Sequence, residues 1–188
     1  MIQPAQIDLV IKNAGELLTL SSSFKEESGL GMIQHGAVAI RKGRIFWVGK
    51  TKELSEKFSL SRDGREIDAT GKVVMPGLID AHTHLIFAGS REDEFEQRIQ
   101  GLSYQEIAER GGGILSTVEA TRKASFDELL SLGKKRLDRM LSKGVTTLEA
   151  KSGYGLSLQA ELKILKVMKA LQESHPIDVV PTFLGAHT

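Results

Sequence analysis

From Ile7 to about Thr70 the apolar positions come in short runs bounded by polar turns, which is the pattern of strands. Ile7-Asp8-Leu9-Val10-Ile11 is one such run and Glu16-Leu17-Leu18-Thr19-Leu20 another, and the polar stretch from Ser21 to Ser28 reads as a loop. Ala37-Val38-Ala39-Ile40 and Arg44-Ile45-Phe46-Trp47-Val48 flank Lys42-Gly43, the spacing of a hairpin whose glycine takes a positive φ. Thr51 to Phe58 predicts one short helix and Arg65 to Asp68 a further strand. The pattern predicts a small β unit over residues 1–70, with its charged residues on solvated faces and no evident chemistry.

Over residues 71–188 the period lengthens. A short apolar run, Leu78 to Ala81, is followed by helical signals from Arg91 to Lys143. Glu92 to Ile99 and Ser103 to Arg110 predict two short helices, and Gly111-Gly112-Gly113 after them predicts a flexible hinge. No Gly-Lys-Ser/Thr follows those glycines, so a phosphate loop is excluded. Ser125-Phe126-Asp127-Glu128 has capping-box spacing, and Phe126, Leu130, Leu137 and Leu141 recur at helical intervals until Gly144. Val145-Thr146-Thr147-Leu148-Glu149 then reads as a buried parallel strand, with Lys151-Ser152-Gly153-Tyr154-Gly155 as the loop at its end. Leu158, Leu162, Leu165 and Met168 share one face of a second long helix, which His175-Pro176 ends, leaving His175 as an exposed cap residue. Ile177 to Leu184 is the next strand. Strands alternating with helices predict an α/β fold with a parallel sheet and helices outside it.

The chemistry concentrates where the first of these strands ends. In Asp80-Ala81-His82-Thr83-His84 the two imidazoles fall on the same face of an extended chain. Imidazole is the commonest nitrogen ligand for zinc and similar ions, and two ligands on one rigid strand need little reorganisation to chelate. His-x-His also arises by chance. Here the Pro-Gly break before it, the preceding aspartate and the helical region after it favour a metal site.

Composition narrows the remaining options. The 188 residues carry 25 Lys plus Arg against 24 Asp plus Glu, so no overall field recommends nucleic acid or an anionic membrane as partner. The expected partner is a small molecule. With no cysteine, only His, Asp and Glu could bind a metal, and a reducing, cytoplasmic setting is expected. No apolar run reaches membrane-spanning length, and Met1-Ile2-Gln3-Pro4 lacks the start of a signal peptide.

Taken together, Pro76-Gly77-Leu78-Ile79-Asp80-Ala81-His82-Thr83-His84 resembles the first metal motif of the amidohydrolase superfamily, in which a small β unit also precedes it. The likeness sharpens toward the superfamily's imidazolone-ring hydrolases through His82 to Arg91 (His-Thr-His-Leu-Ile-Phe-Ala-Gly-Ser-Arg), Glu149 to Leu156 (Glu-Ala-Lys-Ser-Gly-Tyr-Gly-Leu) and Phe183-Leu184-Gly185-Ala186-His187. The resemblance implies a metal-dependent-hydrolase TIM barrel, of which about three of the eight βα units are present, preceded by part of a small composite β-sandwich. It implies His82 and His84 as ligands of one divalent metal ion, zinc or iron. It further implies Arg91, Tyr104, Tyr154 and His187 as substrate-binding residues, with His187 also catalytic. The implied reaction is hydrolysis of the cyclic amide of 4-imidazolone-5-propanoate to N-formimino-L-glutamate in histidine degradation, by an enzyme that is a homodimer when complete. Arginine suits a carboxylate, and tyrosine and histidine suit ring oxygen and nitrogen. Lys151, which some amidohydrolases carboxylate to bridge two metals, is expected to be an ordinary ammonium.

Read without the resemblance, Arg91 is a solvated residue in a charge-rich segment and Tyr104 is half-buried packing. Tyr154 between two glycines and His187 after an apolar strand are less easily explained by packing. Thr188 follows the third strand of the barrel that the resemblance implies, so the catalytic site is expected to be incomplete in this chain. The competing readings are another amidohydrolase, acting on a different cyclic amide or deaminating a base, and a non-catalytic fragment that associates with another chain.

Overall fold

The computed structural model describes residues 4–24 and 29–187; the end of the polar loop expected from Ser21 to Ser28 lies outside them. The chain divides into two compact units, Met1–Pro76 and Gly77–Thr188.

The first unit is a five-stranded sheet built on β1 (Ala5–Leu18). This strand pairs antiparallel with β2 (Met32–Arg41) and parallel with β4 (Phe58–Asp68) and β5 (Val73–Val74). β3 (Arg44–Lys50) forms the expected hairpin with β2, and Lys42 joins Gly43 at positive φ, as a tight two-residue turn requires. Where two separate strands are expected, β1 runs through both. Asn13 at φ 59° absorbs a register shift there, its N–H donating to Thr51 Oγ1 at 2.9 Å, so the chain bulges without leaving the sheet. A 3₁₀ turn, Thr51–Glu53, runs into α1 (Leu54–Lys57). The core consists of Ile7, Val10 and Ala39 in one cluster and Ala14, Leu17, Ile33, Val38 and Ala69 in another.

The second unit is a three-stranded parallel sheet in the order β6 (Leu78–Thr83), β7 (Val145–Lys151), β8 (Asp178–Thr182). Between β6 and β7 lie α2 (Glu92–Ile99), α3 (Tyr104–Glu109), α4 (Ile114–Lys123) and α5 (Phe126–Leu141), and α6 (Leu158–Ser174) connects β7 to β8. Leu148, Ala150 and Val179 form one core with Leu129 and Leu137 of α5 and Ile164, Val167, Met168 and Leu171 of α6. Gly133 allows close approach, since a Cβ there would lie 2.6 Å from Leu171 and 2.8 Å from Ile86. Ser125 caps α5 as expected, accepting from the Glu128 N–H while the Glu128 carboxylate accepts from the Ser125 N–H and hydroxyl.

Several expectations are corrected. On α5, Leu129, Gly133 and Leu137 are buried while Phe126 and Leu141 are exposed. On α6 the buried stripe is Ala160, Glu161, Ile164, Val167, Met168 and Leu171, and Leu158 is 73% exposed. In both helices leucine is spread around more than one face, so only part of it reaches the core. The strands, expected to be buried on both faces, are only partly covered: Leu148 and Ala150 of β7 and Val179 of β8 are buried, but Leu78 and Ile79 of β6 are both exposed, Ile79 at 72%, and Val180 is open. The three glycines do not form an open hinge. Gly111 and Gly113 hold positive φ, Gly113 donates to Glu94 Oε1 at 2.7 Å, and a Cβ on Gly112 would meet Ile107 at 2.7 Å, so the run is a packed turn into α4. The His175 side chain is buried, only 3% exposed, with Nε2 3.2 Å from Asp138 Oδ1 and Nδ1 accepting from the Ile177 N–H.

Candidate functional site

His84 directly follows β6, Tyr154 sits in the loop after β7, and His187 follows β8. Because the strands are parallel, these three loops leave the sheet at the same end. The rings gather there. His84 stacks on His187 with centroids 4.4 Å apart, and Tyr154 meets His84 edge-on at 5.0 Å and His187 at 5.6 Å. The His82 ring lies 5.9 Å from His84, and Phe87 backs Tyr154 at 5.6 Å.

Local bonding explains why the backbone presents these groups. The Asp80 carboxylate accepts from the His82 N–H and the Thr83 hydroxyl, bracing the chain beneath the two imidazoles. Arg136 of α5 donates through one nitrogen to Leu85 O at 2.8 Å and Phe87 O at 2.9 Å, with its guanidinium 3.7 Å over the Phe87 ring. Buried Ser152 joins the other two loops, its N–H donating to Thr182 O and its hydroxyl accepting from the Leu184 N–H, both at 2.9 Å. Gly153 at φ 115° lets His187 close onto the backbone: His187 Nδ1 is 3.1 Å from Gly153 O, and a Cβ on Gly153 would lie 2.7 Å from that of His187. Beside His82, Glu149 takes a 2.6 Å ion pair from Lys151 and a 2.7 Å bond from the Thr182 hydroxyl. These, with the charges of Lys151 and His82, hold the Glu149 carboxyl below its ordinary range, burial opposing them.

Burial, then the charges of His187 and His82, push the His84 imidazole below its ordinary value, against backbone contacts at Ser152 and Lys151 that raise it. A neutral imidazole is the form that binds metals. His84 Nδ1 is buried without a hydrogen-bond partner, so a ring nitrogen is left for a ligand. These features fit a cation held in part by His82 and His84. Among the described residues no group of three or more His, Asp or Glu gathers in ligating range, whereas a zinc site takes at least three protein ligands.

The structure therefore brings together His82, His84, Tyr154 and His187. Arg91 lies exposed at the N-cap of α2, and Tyr104 is exposed at the start of α3 with its hydroxyl over Gly113; neither ring nor guanidinium joins the aromatic cluster. Sequence reasoning missed Arg136, Arg122 and Glu161, whose contacts lie with backbone atoms and leave no spacing signal.

The Amidohydrolase family profile matches residues 65–109. The imidazolonepropionase of Symbiobacterium thermophilum is 50% identical over 184 residues, which are 96% of this chain and 43% of that protein. That of Geobacillus sp. (strain WCH70) is 51% identical over 186 residues, covering 95% and 44%. Over nearly its whole length this chain is similar to imidazolonepropionases. It spans less than half the length of the relatives it matches. The fold is also that of more distant solved proteins. An adenosine deaminase from Xanthomonas campestris with bound zinc superposes with a TM-score of 0.56 at 16% identity, over 96% of this chain and 43% of that one. An atrazine chlorohydrolase variant from Arthrobacter aurescens complexed with zinc and atraton gives 0.53 at 18%, over 93% and 35%. Among the described residues no helix is long and apolar enough to cross a membrane.

Proposed function

We propose that this chain supplies the His82 and His84 side of an active site that hydrolyses 4-imidazolone-5-propanoate to N-formimino-L-glutamate. The observation that carries the reading is the convergence of His84, Tyr154 and His187 at one end of three parallel strands, in a chain half identical to imidazolonepropionases. On this reading the second unit contributes about three of the eight βα units of a barrel and the first unit part of a β-sandwich. The complete enzyme is a cytoplasmic homodimer.

His82 and His84 would hold a divalent cation, zinc or iron, whose Lewis acidity activates water and polarises the ring carbonyl. The chain's own residues do the rest. Gly153 O can only accept, so the 3.1 Å contact places a proton on His187 Nδ1 and makes Nε2 the acceptor nitrogen of the neutral ring. In the neutral ring Nε2 accepts from a substrate N–H; as imidazolium it donates to the carbonyl oxygen as charge develops there. The Tyr154 hydroxyl binds the ring edge, while Arg91, as a fork for the propionate, and Tyr104 bind the substrate from outside the ring cluster.

A chimaera tests this. This chain would replace the matching segment of the Symbiobacterium thermophilum enzyme, and loss of substrate and appearance of N-formimino-glutamate would be followed by mass spectrometry. Ring opening is expected, with loss of turnover and of bound zinc in His82→Ala and His84→Ala. A folded, zinc-loaded chimaera that forms no product would overturn the assignment.

A further inference from the structure

Glu161 is a charged side chain that the mechanism does not use, yet it is only 2% exposed. Among the described residues no lysine or arginine lies within ion-pair range of it. Its carboxylate is satisfied instead by three backbone donors: Gly153 N–H to Oε2 at 2.9 Å, and Gly155 N–H and Leu156 N–H to Oε1 at 2.7 and 2.9 Å. Burying a carboxylate is costly unless its lone pairs are filled, and charge-assisted bonds of this kind are the stronger class. The residue lies in the first turn of α6, where the helix dipole also favours negative charge.

The donors are not scattered. Gly153 and Gly155 bracket Tyr154, so one carboxylate holds the peptide groups on both sides of the ring that faces His84 and His187. On the opposite side Arg122 donates through Nε to Gly155 O at 2.6 Å and through a terminal nitrogen to Leu156 O at 2.8 Å. The loop's N–H groups thus point at an anion and its carbonyls at a cation. Leu156 is held at φ 48°, a conformation a leucine seldom adopts unless its surroundings impose it. Gly155 lies so close to the start of α6 that a Cβ would come 2.7 Å from the Glu161 nitrogen.

We propose that Glu161 is a positioning residue: its carboxylate, opposed by Arg122, fixes the 153–156 loop and so aims Tyr154, and through the Gly153 carbonyl His187, into the site. That those two side chains meet substrate rests on the function proposed above; that Glu161 sets their placement does not.

The test uses the full chain and a readout independent of turnover. There are two tyrosines, Tyr104 and Tyr154, so ¹³C-tyrosine labelling gives two ring signals that Tyr104→Phe assigns. In Glu161→Gln one carboxylate oxygen becomes an NH₂ facing a backbone donor. Exchange of the Gly153, Gly155 and Leu156 amides should accelerate by about tenfold or more, and the Tyr154 signal should shift or broaden. Arg122→Gln, which disturbs no buried charge, should loosen the loop from the other side and leave the Gly153 amide protected. Should Glu161→Gln not fold, Arg122→Gln decides by moving the Tyr154 signal or not. Ser125→Ala destabilises α5 without touching the loop and should move neither readout. Unchanged Tyr154 and loop amides in folded Glu161→Gln, or equal changes in Ser125→Ala, would overturn the proposal. In the chimaera, Glu161→Gln should raise KM more than it lowers kcat. If Tyr154→Phe leaves KM unaltered while Glu161→Gln still frees the loop, the substrate reading fails and the positioning role stands.

Discussion

Replacing Arg136 with methionine keeps the aliphatic stem and removes only the guanidinium, which makes it a direct probe of what holds the segment after His84. Two carbonyls, those of Leu85 and Phe87, lose a shared donor, and the Phe87 ring loses the cation lying 3.7 Å over it. Hydrogen bonds to charged groups contribute about 1.5–3 kcal/mol each, and a cation over an aromatic face about 0.5–2 kcal/mol. The full total does not apply, because Arg136 is only half-buried and water can reach the freed carbonyls. Its burial is nevertheless enough to push its pKa down. We predict a loss of about 2–4 kcal/mol, a large part of the roughly 5–15 kcal/mol that keeps a domain folded. Most helices of the chain lie in the second unit, so urea unfolding followed by helical circular dichroism reports the change. Trp47 is in the first unit and is a poor probe of it. Arg136→Lys should recover only part of the loss, since an ammonium lacks the planar spread that lies over the ring and reaches both carbonyls. A methionine variant within about 0.5 kcal/mol of the parent, or full recovery by lysine, would refute the reasoning.

Gly153→Ala should destabilise the chain by more than the roughly 1 kcal/mol typical of alanine at positive φ, because its Cβ also collides with His187; thermal melts and loss of the His187 to Gly153 contact by NMR check this. The Glu128 carboxyl is held below its ordinary value of 4.5 by the Ser125 N–H and hydroxyl. Its contribution is therefore complete above that value and is lost as pH falls through the lower folded pKa. Melting of the parent should fall more steeply in acid than that of Glu128→Gln, and identical slopes would remove the capping box as the cause. In the chimaera, Arg91→Lys should raise KM for the propionate-bearing substrate by about 1.5–3 kcal/mol of lost binding, while an unchanged KM would take Arg91 out of the site. The isolated chain should bind zinc weakly by calorimetric titration, and tight stoichiometric binding would mean that more ligands are gathered than His82 and His84.

The parts of the fold legible in the sequence are those with a local signal. The β2–β3 hairpin follows from Lys42-Gly43, α5 begins where Ser125 and Glu128 say it should, and β7 is β-branched and bounded by Gly144 and Gly153. Helix α4 was not legible, because Ile114, Thr117, Val118 and Thr121 weaken its intrinsic preference. Its threonines are reconciled with the helix by bonding back, Thr117 to Ile114 O and Thr121 to Thr117 O, and Thr121 also accepts from the Ala88 N–H. The faces of α5 and α6 were misread because burial is decided by what packs on them, as Gly133 against Leu171 shows. In the site, His-x-His, Tyr154 and His187 stood out by position. Glu161 did not, since a glutamate in a first helical turn looks like any other until its three backbone donors are seen.

β7 lies between β6 and β8 in the sheet and pairs with each of them. Closing β7 onto β8 spans Lys151 to Asp178, whereas closing β6 onto β7 spans Thr83 to Val145, more than twice the chain. Loop closure costs about 0.6 kcal/mol more per doubling, and non-local parallel pairing is slow. Assembly should therefore be ordered in time, with the Tyr154 and His187 half forming as a unit and the strand bearing His82 and His84 docking last. In a refolding experiment with pulsed hydrogen exchange, β8 amides would gain protection before those of β6; the reverse order would show that β6 nucleates the sheet. An imidazole pair that arrives late is exposed to stray metal ions in the meantime, so free zinc during refolding should trap misfolded chain that a chelator rescues.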